Sequence, residues 1–452
     1  MNETIAAIAT PLSPGGIGII RISGDDAKAI ADQLFVSPSG ASLSQAKGYS
    51  AHYGLLKENG EKIDECIALV FSAPKSYTGE DVVEFSLHGG VFVVKKALRA
   101  VLSTGARLAE PGEFTKRAYF NGKLTLTEAE AIMDIISAGG KQALQAANTA
   151  RNGALYHKIQ EITQGLTVAA AHISAFTDFP DEGLPDMDFT LFEENLRKAK
   201  EELNRLLSTF DSGVVLREGI SCAIIGRPNV GKSTLMNLLS GCERSIVTDI
   251  AGTTRDVIEE TVKLGEVFLR LSDTAGIRNT EDTVESIGVH RAKERLREAA
   301  LILAVFDASE ELTDDDREIL ALLADKKSVI IINKTDLPVK MDMDSVKHFK
   351  TIQISAAKGT GLEELVVAVN ETTGLAALDP NAAILASERQ KNCVIKANQA
   401  VTAAENEYKT GQMLDIVGFE LEEAITALLE LNGEKASETV VNEVFSRFCV
   451  GK

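Results

Sequence analysis

GRPNVGKST, residues 226–234, lies between the apolar run SCAII (221–225) and the helix-like LMNLL (235–239). It satisfies G-x-x-x-x-G-K-[ST] in the setting that gives the pattern a mechanism: a buried strand, a glycine loop, then a helix. The glycines let the backbone around Asn229, Val230, Gly231, Lys232, Ser233 and Thr234 curl about a phosphate held at the positive end of the helix. Lys232 is placed to reach the β and γ phosphates, and the Ser233 hydroxyl to ligate Mg2+. A chance glycine turn requires neither flanking element, so the stretch is read as a nucleotide-phosphate loop.

Around it, β-rich runs at 221–225, 257–263, 267–272, 300–307, 328–332 and 351–354 alternate mostly with helical patterns. Several are continuously apolar, as parallel strands covered on both faces are. A doubly wound sheet binds its ligand beyond the carboxyl ends of its strands, where the loop falls. Further signals follow in the order a GTPase requires. DTAG (273–276) ends an apolar run, so Asp273 can hold Mg2+ through water and the Gly276 N–H can sense the γ-phosphate, with Thr274 and Ala275 between them. NKTD (333–336) ends another. Asn333 and Lys334 belong to the same pocket, in which the Asp336 carboxylate accepts from guanine N1–H and the 2-amino group. Adenine has no donor at either position and would leave those acceptors unpaired. Ser355 and Ala356 follow the next strand as a base-closing loop. TDIAGTTRD (248–256) lies where switch I belongs, and one threonine there should complete the Mg2+ shell and order the loop with GTP. Behind Asp273 there is no glutamine where Ras-like enzymes orient water. Ile277 is apolar, and Glu281, Asp282 and Glu285 are the nearby acids.

With 452 residues the chain has room for roughly two to four domains. Its formal net charge of −19 argues against broad adhesion to nucleic acid or anionic lipid. There is no apolar run long enough to span a membrane and no signal-like start, so a cytoplasmic protein is expected. Cys66, Cys222, Cys242, Cys393 and Cys449 are scattered without C-x-x-C spacing, which points to neither a disulfide frame nor a zinc site. Residues 4–24 give two β-rich runs around a Pro-Gly turn, followed by a helix at 25–35, strands at 49–56, 63–71 and 81–87, and a helix at 91–103. From 121 the texture is helical. Thr127 with Glu130 reads as a capping box opening a stretch that runs past Ile173 and is interrupted at Gly139-Gly140, and Thr190 with Glu193 reads as a second box for a helix to about 210. Helices return at 387–409, 412–431 and 438–448, with Gly433 as a stop. The expected fold is multi-domain α/β: an N-terminal α+β domain at 1–118, an all-α helical domain built from 119–216 and 375–452, and a Ras-like P-loop G domain inserted at 217–374.

GRPNVGKST, TDIAGTTRD, DTAG and NKTD, together with FCVGK (448–452), resemble the bacterial tRNA modification GTPases of the MnmE (TrmE) family, in the TrmE-Era-EngA-like superfamily. GIIRISG (18–24), YTGED (77–81), HGG (88–90), EPGEFT (110–115) and NGK (121–123) look like that family's folate-binding region, so the resemblance covers essentially the whole chain in order. It implies a homodimer that pairs across its switch regions and is activated by K+, held by Asn229, Thr248, Ile250 and Thr253. Ser233 and Thr254 would hold Mg2+, and Glu285 would orient the attacking water. A fixed cation beside the β and γ phosphates does the electrostatic work of an arginine finger. The resemblance further assigns Arg21, Glu84, Lys123 and Lys452 to a tetrahydrofolate derivative, 5,10-methylene or 5-formyl. Cations there can meet the glutamyl carboxylates, and a carboxylate can accept from the pterin donors. Cys449 would lie near the reacting centre. The implied partner is a flavoprotein of the MnmG (GidA) kind, carrying FAD and using NADH, in a heterotetramer. Together they would add an aminomethyl or carboxymethylaminomethyl group to C5 of the wobble uridine of certain tRNAs. This chain departs from the family pattern at Val450, where isoleucine is usual, and in the base loop, where Ser355-Ala-Ala-Lys358 replaces S-A-K. The rival reading, a GTP-switched ribosome-assembly module, lacks any KH-type G-x-x-G unit or basic tail after residue 375.

Overall fold

The computed structural model describes residues 3–178, 189–241, 260–265, 267–271, 299–375, 378–411 and 413–452. Its packing divides into two units, one of Met1–Met133 with Ile425–Lys452, the other of Asp134–Ala424.

The first unit contains β1 (Ile5–Ile8), β2 (Gly15–Ser23), α1 (Ala27–Leu34), β3 (Phe35–Val36), β4 (Ser50–Glu58), β5 (Glu61–Phe71), β6 (Val82–Gly89), α2 (Val91–Ser103), β7 (Arg107–Leu108) and α3 (Glu113–Phe120). Its strands form one sheet in the order β3-β4-β5-β6-β2-β1-β7. Side-chain alternation along the strands sorts the two faces. Ile20 and Ile22 of β2, Phe85 of β6 and Ala68 and Val70 of β5 share a core with Ile30 and Leu34 of α1 and Val94 and Val101 of α2. The intervening positions Arg21 and Glu84, partners in the β2–β6 register, belong to the other face. A second cluster joins Ala118 of α3, Leu126 and Ile132 of α4 (Leu126–Ser137), and Val441, Val444, Phe445 and Phe448 in and after the helix Glu438–Ser446. The cap of α4 differs from the expectation. Thr125 N–H donates to Glu128 Oε2 (2.7 Å) and Glu128 N–H to Thr125 Oγ1 (3.2 Å), while Thr127 and Glu130 are buried within the helix. T-x-x-E occurs at two offsets here, and burying Leu126 in the first turn selects the earlier one.

In the second unit, β8 (Ile220–Ile225), β9 (Glu260–Leu264), β10 (Val267–Leu271), β11 (Leu301–Asp307), β12 (Ser328–Asn333) and β13 (Thr351–Gln353) form a sheet in the order β13-β12-β11-β8-β10-β9. Every described pairing is parallel except β9 with β10. The continuously apolar runs divide between two cores: Cys222, Ile224, Leu303, Val305 and Ile331 on one face, Ala223, Ile225, Ala304, Phe306 and Ile332 on the other. This is the doubly covered sheet that the sequence pattern calls for. It carries the ends of β8, β11 and β12 to one edge.

Helices α5 (Lys141–Arg151), α6 (Ala154–Asp178), α7 (Phe189–Glu218) and Glu388–Lys409 belong to the same unit. Ile159, Ile162, Leu166, Ala169 and Ile173 make the buried stripe of α6, and Phe192, Leu196, Ala199, Leu203, Leu206 and Phe210 that of α7. Alternating steps of three and four keep each stripe on one side of its helix. α7 already includes Thr190 in its first turn and continues to Glu218, eight residues beyond the expected end near 210.

Between α4 and α5, a Cβ built on Gly139 would fall 1.5 Å from Phe268 Cε2, so the ring of β10 occupies the space any larger residue would need. Gly139→Ala should therefore lower stability by roughly 1–3 kcal/mol, the range for overpacking, read as a shift of the urea midpoint. Added to Phe268→Ala, the same change should cost clearly less than the two single effects summed. Additive costs would show that the ring is not seated there.

Candidate functional site

The loop after β8 enters α8 (Lys232–Gly241) with Val230 buried and Ser233 and Thr234 exposed on the first turn. Asn229 takes a left-handed backbone, φ 66°, a conformation asparagine tolerates better than most residues. Lys232 Nζ donates to the carbonyls of Gly226 (2.8 Å) and Arg227 (2.5 Å), which keeps the ammonium inside the loop. Asn333, at the end of β12 and 2% exposed, donates from Nδ2 to Val230 O (2.9 Å) and accepts at Oδ1 from Ala356 N–H (3.0 Å). One carboxamide thus joins the phosphate loop to the base loop. Asp336 accepts from Ser355 Oγ (2.7 Å), and that bond holds its carboxyl below the ordinary carboxylate range. Lys358, whose side chain is 64% exposed, lies 4.0 Å from Asp336 Oδ2.

A cation and a hydroxyl at a helix N-terminus, with a carboxylate at the far end of the same sheet edge, suit a Mg2+-bound triphosphate and a guanine base. Thr248, Ile250, Thr253, Thr254, Asp273, Thr274, Ala275, Gly276 and Glu285 lie outside the described residues. Reading the motif as fixed and variable positions missed Arg227. Its Nε donates to Asp316 Oδ1 (2.9 Å) and its Nη2 to Glu310 Oε2 (3.0 Å), which ties the loop to the capping box of the helix Asp314–Leu322. Acids 83 and 89 residues away give no local signal.

In the first unit, Arg21 of β2 donates from Nε to Glu84 Oε1 (2.6 Å) and from Nη1 to Gly451 O (2.9 Å). Its guanidinium carbon lies 5.7 Å from the centre of the Tyr77 ring and 5.6 Å from that of Phe114, within cation–π range. The segment 449–452 is held at the N-terminus of α3: Gly112 N–H donates to Cys449 O (3.4 Å) and Phe114 N–H to Lys452 O (3.2 Å). Gly451, φ 99°, packs so closely that a Cβ would lie 2.3 Å from Ile8 O. Three of the four residues assigned to folate, Arg21, Glu84 and Lys452, meet in this cluster. Lys123 is exposed and donates to Pro74 O (3.1 Å). Burial, then the neighbouring Arg21, pulls the Lys452 ammonium below its ordinary value. Among the described residues no carboxylate lies within ion-pair distance of it. A half-buried cation without a carboxylate at ion-pair distance, in a cluster whose Arg21 lies over two aromatic rings, fits a planar, anionic ligand such as a folate. Cys449 is exposed, whereas burial pushes the Cys66 and Cys222 thiols up to about 12.

Glu80 of YTGED and Glu113 of EPGEFT build a second network in the same unit. Arg117 donates to both Glu80 oxygens (3.2 and 3.0 Å) and to Glu113 Oε1 (3.0 Å), and Arg107 grips Glu113 with two nitrogens (2.8 and 2.6 Å). Ser23 Oγ donates to Glu80 Oε2 (2.8 Å). Burial raises the Glu113 carboxyl, but Arg107, the Glu110 N–H and Arg117 outweigh it and hold the group at about 2.

A phosphate loop tied to a guanine-type base pocket on a doubly covered, mainly parallel sheet defines a P-loop GTPase domain within the second unit. The comparisons extend this to the whole chain. The family profile for the MnmE helical domain matches residues 126–449, and that for the GTP-binding protein TrmE N-terminus matches 4–123. The tRNA modification GTPase MnmE of Aquifex aeolicus is 42% identical over 454 residues, covering 100% of both chains. That of Lactobacillus johnsonii is 40% identical over 462 residues, covering 100% of this chain and 98% of its own. A solved structure of Aquifex aeolicus Era bound to GDP and AlF4− is 29% identical over 40% of this chain and 66% of its own, with a TM-score of 0.27. The chain belongs to the MnmE family of tRNA modification GTPases. Among the described residues no helix is long and apolar enough to cross a membrane.

Because Glu113 is held below its ordinary value of 4.5, its ion pairs contribute stability above pH 4.5 and lose it as pH falls towards 2. Glu113→Gln should lower the thermal midpoint at neutral pH and flatten its decline between those limits. Parallel declines in the two proteins would remove Glu113 from the acid response.

Proposed function

We propose that this chain hydrolyses GTP as one half of a two-protein tRNA-modifying enzyme. With a flavoprotein partner of the MnmG (GidA) kind, which carries FAD and uses NADH, it adds an aminomethyl or carboxymethylaminomethyl group to C5 of the wobble uridine. The observation that carries the reading is the meeting of Arg21, Glu84 and the 449–452 segment in a unit separate from the phosphate loop, which gives the chain two chemically distinct sites. In the first, a tetrahydrofolate derivative supplies the one-carbon unit when bound. Lys452 and Lys123 would supply cations for its glutamyl carboxylates, the Arg21–Glu84 pair would supply a carboxylate for the pterin donors, and Cys449 would lie near the reacting centre.

In the second site, Lys232 and the N-terminus of α8 bind the phosphates, and Asp336 accepts from guanine. Ser233 and Thr254 would hold Mg2+, and Asn229, Thr248, Ile250 and Thr253 would hold K+, which would supply electrostatic stabilisation of the transition state. Glu285 orients the attacking water. Hydrolysis then opens and closes a homodimer across its G domains and does not itself make the new carbon bond. The acidic net charge supports an arrangement in which the partner contributes most of the tRNA-binding surface of a heterotetramer.

Equilibrium titration with 5-formyltetrahydrofolate tests the first site. The wild-type chain should bind it, and Lys452→Ala should weaken binding by roughly tenfold or more through loss of a charge-assisted contact. Equal affinity in the two would move the folate elsewhere. For the second site, exchanging K+ for Na+ should slow turnover by roughly 10^3-fold, the lower end of what a finger-like cation supplies, with little change in nucleotide affinity. Equal rates in the two salts would discard the K+ assignment.

A further inference from the structure

We propose that Asp307 is a positioning residue for guanine-nucleotide retention, acting through Lys334. The inference rests on reading NKTD as the base pocket. Lys334 has a left-handed backbone, φ 64°, which disfavours a long side chain unless its surroundings hold it. The other polar ends of the motif are already committed, Asn333 to the phosphate and base loops and Asp336 to Ser355. The Lys334 ammonium reaches back to Asp307 Oδ2 at 2.6 Å. Asp307 ends β11 beside Asn333 in the parallel register, with its side chain 3% exposed.

A carboxylate so deeply buried requires compensation, and it has two kinds. Oδ1 accepts from Ser309 N–H (2.8 Å) and Ser309 Oγ (2.6 Å), which fixes the turn after β11, while Oδ2 takes the ammonium. Burial alone would raise this carboxyl, yet Lys334 and Ser309 bring it below its ordinary value, so the pair is ionised at neutral pH. The ammonium is therefore anchored on the β11 side while the backbone of Lys334 starts on β12. Those two fixed ends constrain the four-carbon stem beside Asn333 and Asp336, the residues read as the base pocket. An apolar stem held flat at that point covers one face of a planar base, whichever phosphates the nucleotide carries.

The test is the dissociation rate of fluorescent GDP and GTP analogues from the full chain. Asp307→Asn should speed release of both by about tenfold, the loss expected for one charged hydrogen bond, and by the same factor for each because the base is common to them. Asp307→Glu, which keeps the charge but displaces it, should also speed release and supplies a second arm if the first variant folds poorly. Ser309→Ala removes the Oγ bond to Oδ1 but keeps the N–H bond and the ion pair at Oδ2, and should change the rates far less than Asp307→Asn. Asp307→Asn added to Lys334→Met should be no faster than Lys334→Met alone. The inference is overturned if Asp307→Asn and Asp307→Glu release nucleotide at the wild-type rate. It is equally overturned if Ser309→Ala reproduces the effect or if the two substitutions multiply. Asp336→Asn separates this from failure of the pocket reading: if it leaves the preference for GTP over xanthosine triphosphate unchanged, the base is not bound at NKTD at all.

Discussion

A carboxamide taken out of water must use both its donor and its acceptor, and the second unit is arranged around one that does. Asn333 spends its NH2 on Val230 O and its oxygen on Ala356 N–H, joining loops more than a hundred residues apart. Losing either partner would strand a buried polar group, which typically costs more than the bond itself gains. The phosphate and base loops are consequently one mechanical part. The sheet makes this possible, because parallel strands deliver the ends of β8 and β12 to the same edge. Arg227 extends the same part to the helix Asp314–Leu322 through Asp316.

The first unit answers the same physical demand with charges. Glu80, Glu113 and Arg117 have side chains only 9% exposed and are tolerable there because each has several partners. They form a buried bed in the same unit as the Arg21–Glu84 pair, whose Arg21 holds the carbonyl of Gly451. Groups that are conspicuous as charges in the sequence thus divide into two sorts. Those of the bed are saturated by the protein, and Lys452 retains the capacity to meet something else.

The legible parts of the chain were those whose meaning is local. A strand, a glycine loop and a helix in succession are legible as β8, its loop and α8, and the apolar run closed by NKTD as the end of β12. Apolar continuity likewise foretold a sheet covered on both faces. What could not be read is set by distance along the chain. The partner of Arg227 is 89 residues away and that of Arg21 is 430, so neither contact leaves a pattern. Asp307 closes the apolar run LILAVFD, and a charge ending a buried strand was the available signal. The cap of α4 was misread by two residues because two overlapping boxes are equally good until Leu126 is buried. Helical texture also says nothing about which helices share a core, and Ile425–Lys452 packs with Met1–Met133.

That last pairing gives the protein a schedule. On the ribosome, the segment carrying α3 and the start of α4 emerges while Val441, Val444, Phe445 and Phe448, which complete its cluster, are still unmade. The intervening 134–424 amounts to about 290 residues, which at roughly 5–20 residues per second takes on the order of 15–60 s. For that interval Leu126 and Ala118, fully buried in the finished protein, have only part of their packing. The phosphate-binding unit, by contrast, is contiguous and can close before the unit that began first. The sheet core of the first unit, drawn entirely from residues 6–106, needs nothing from the C-terminal segment, so the helical cluster is the core of that unit whose completion waits for the end of synthesis.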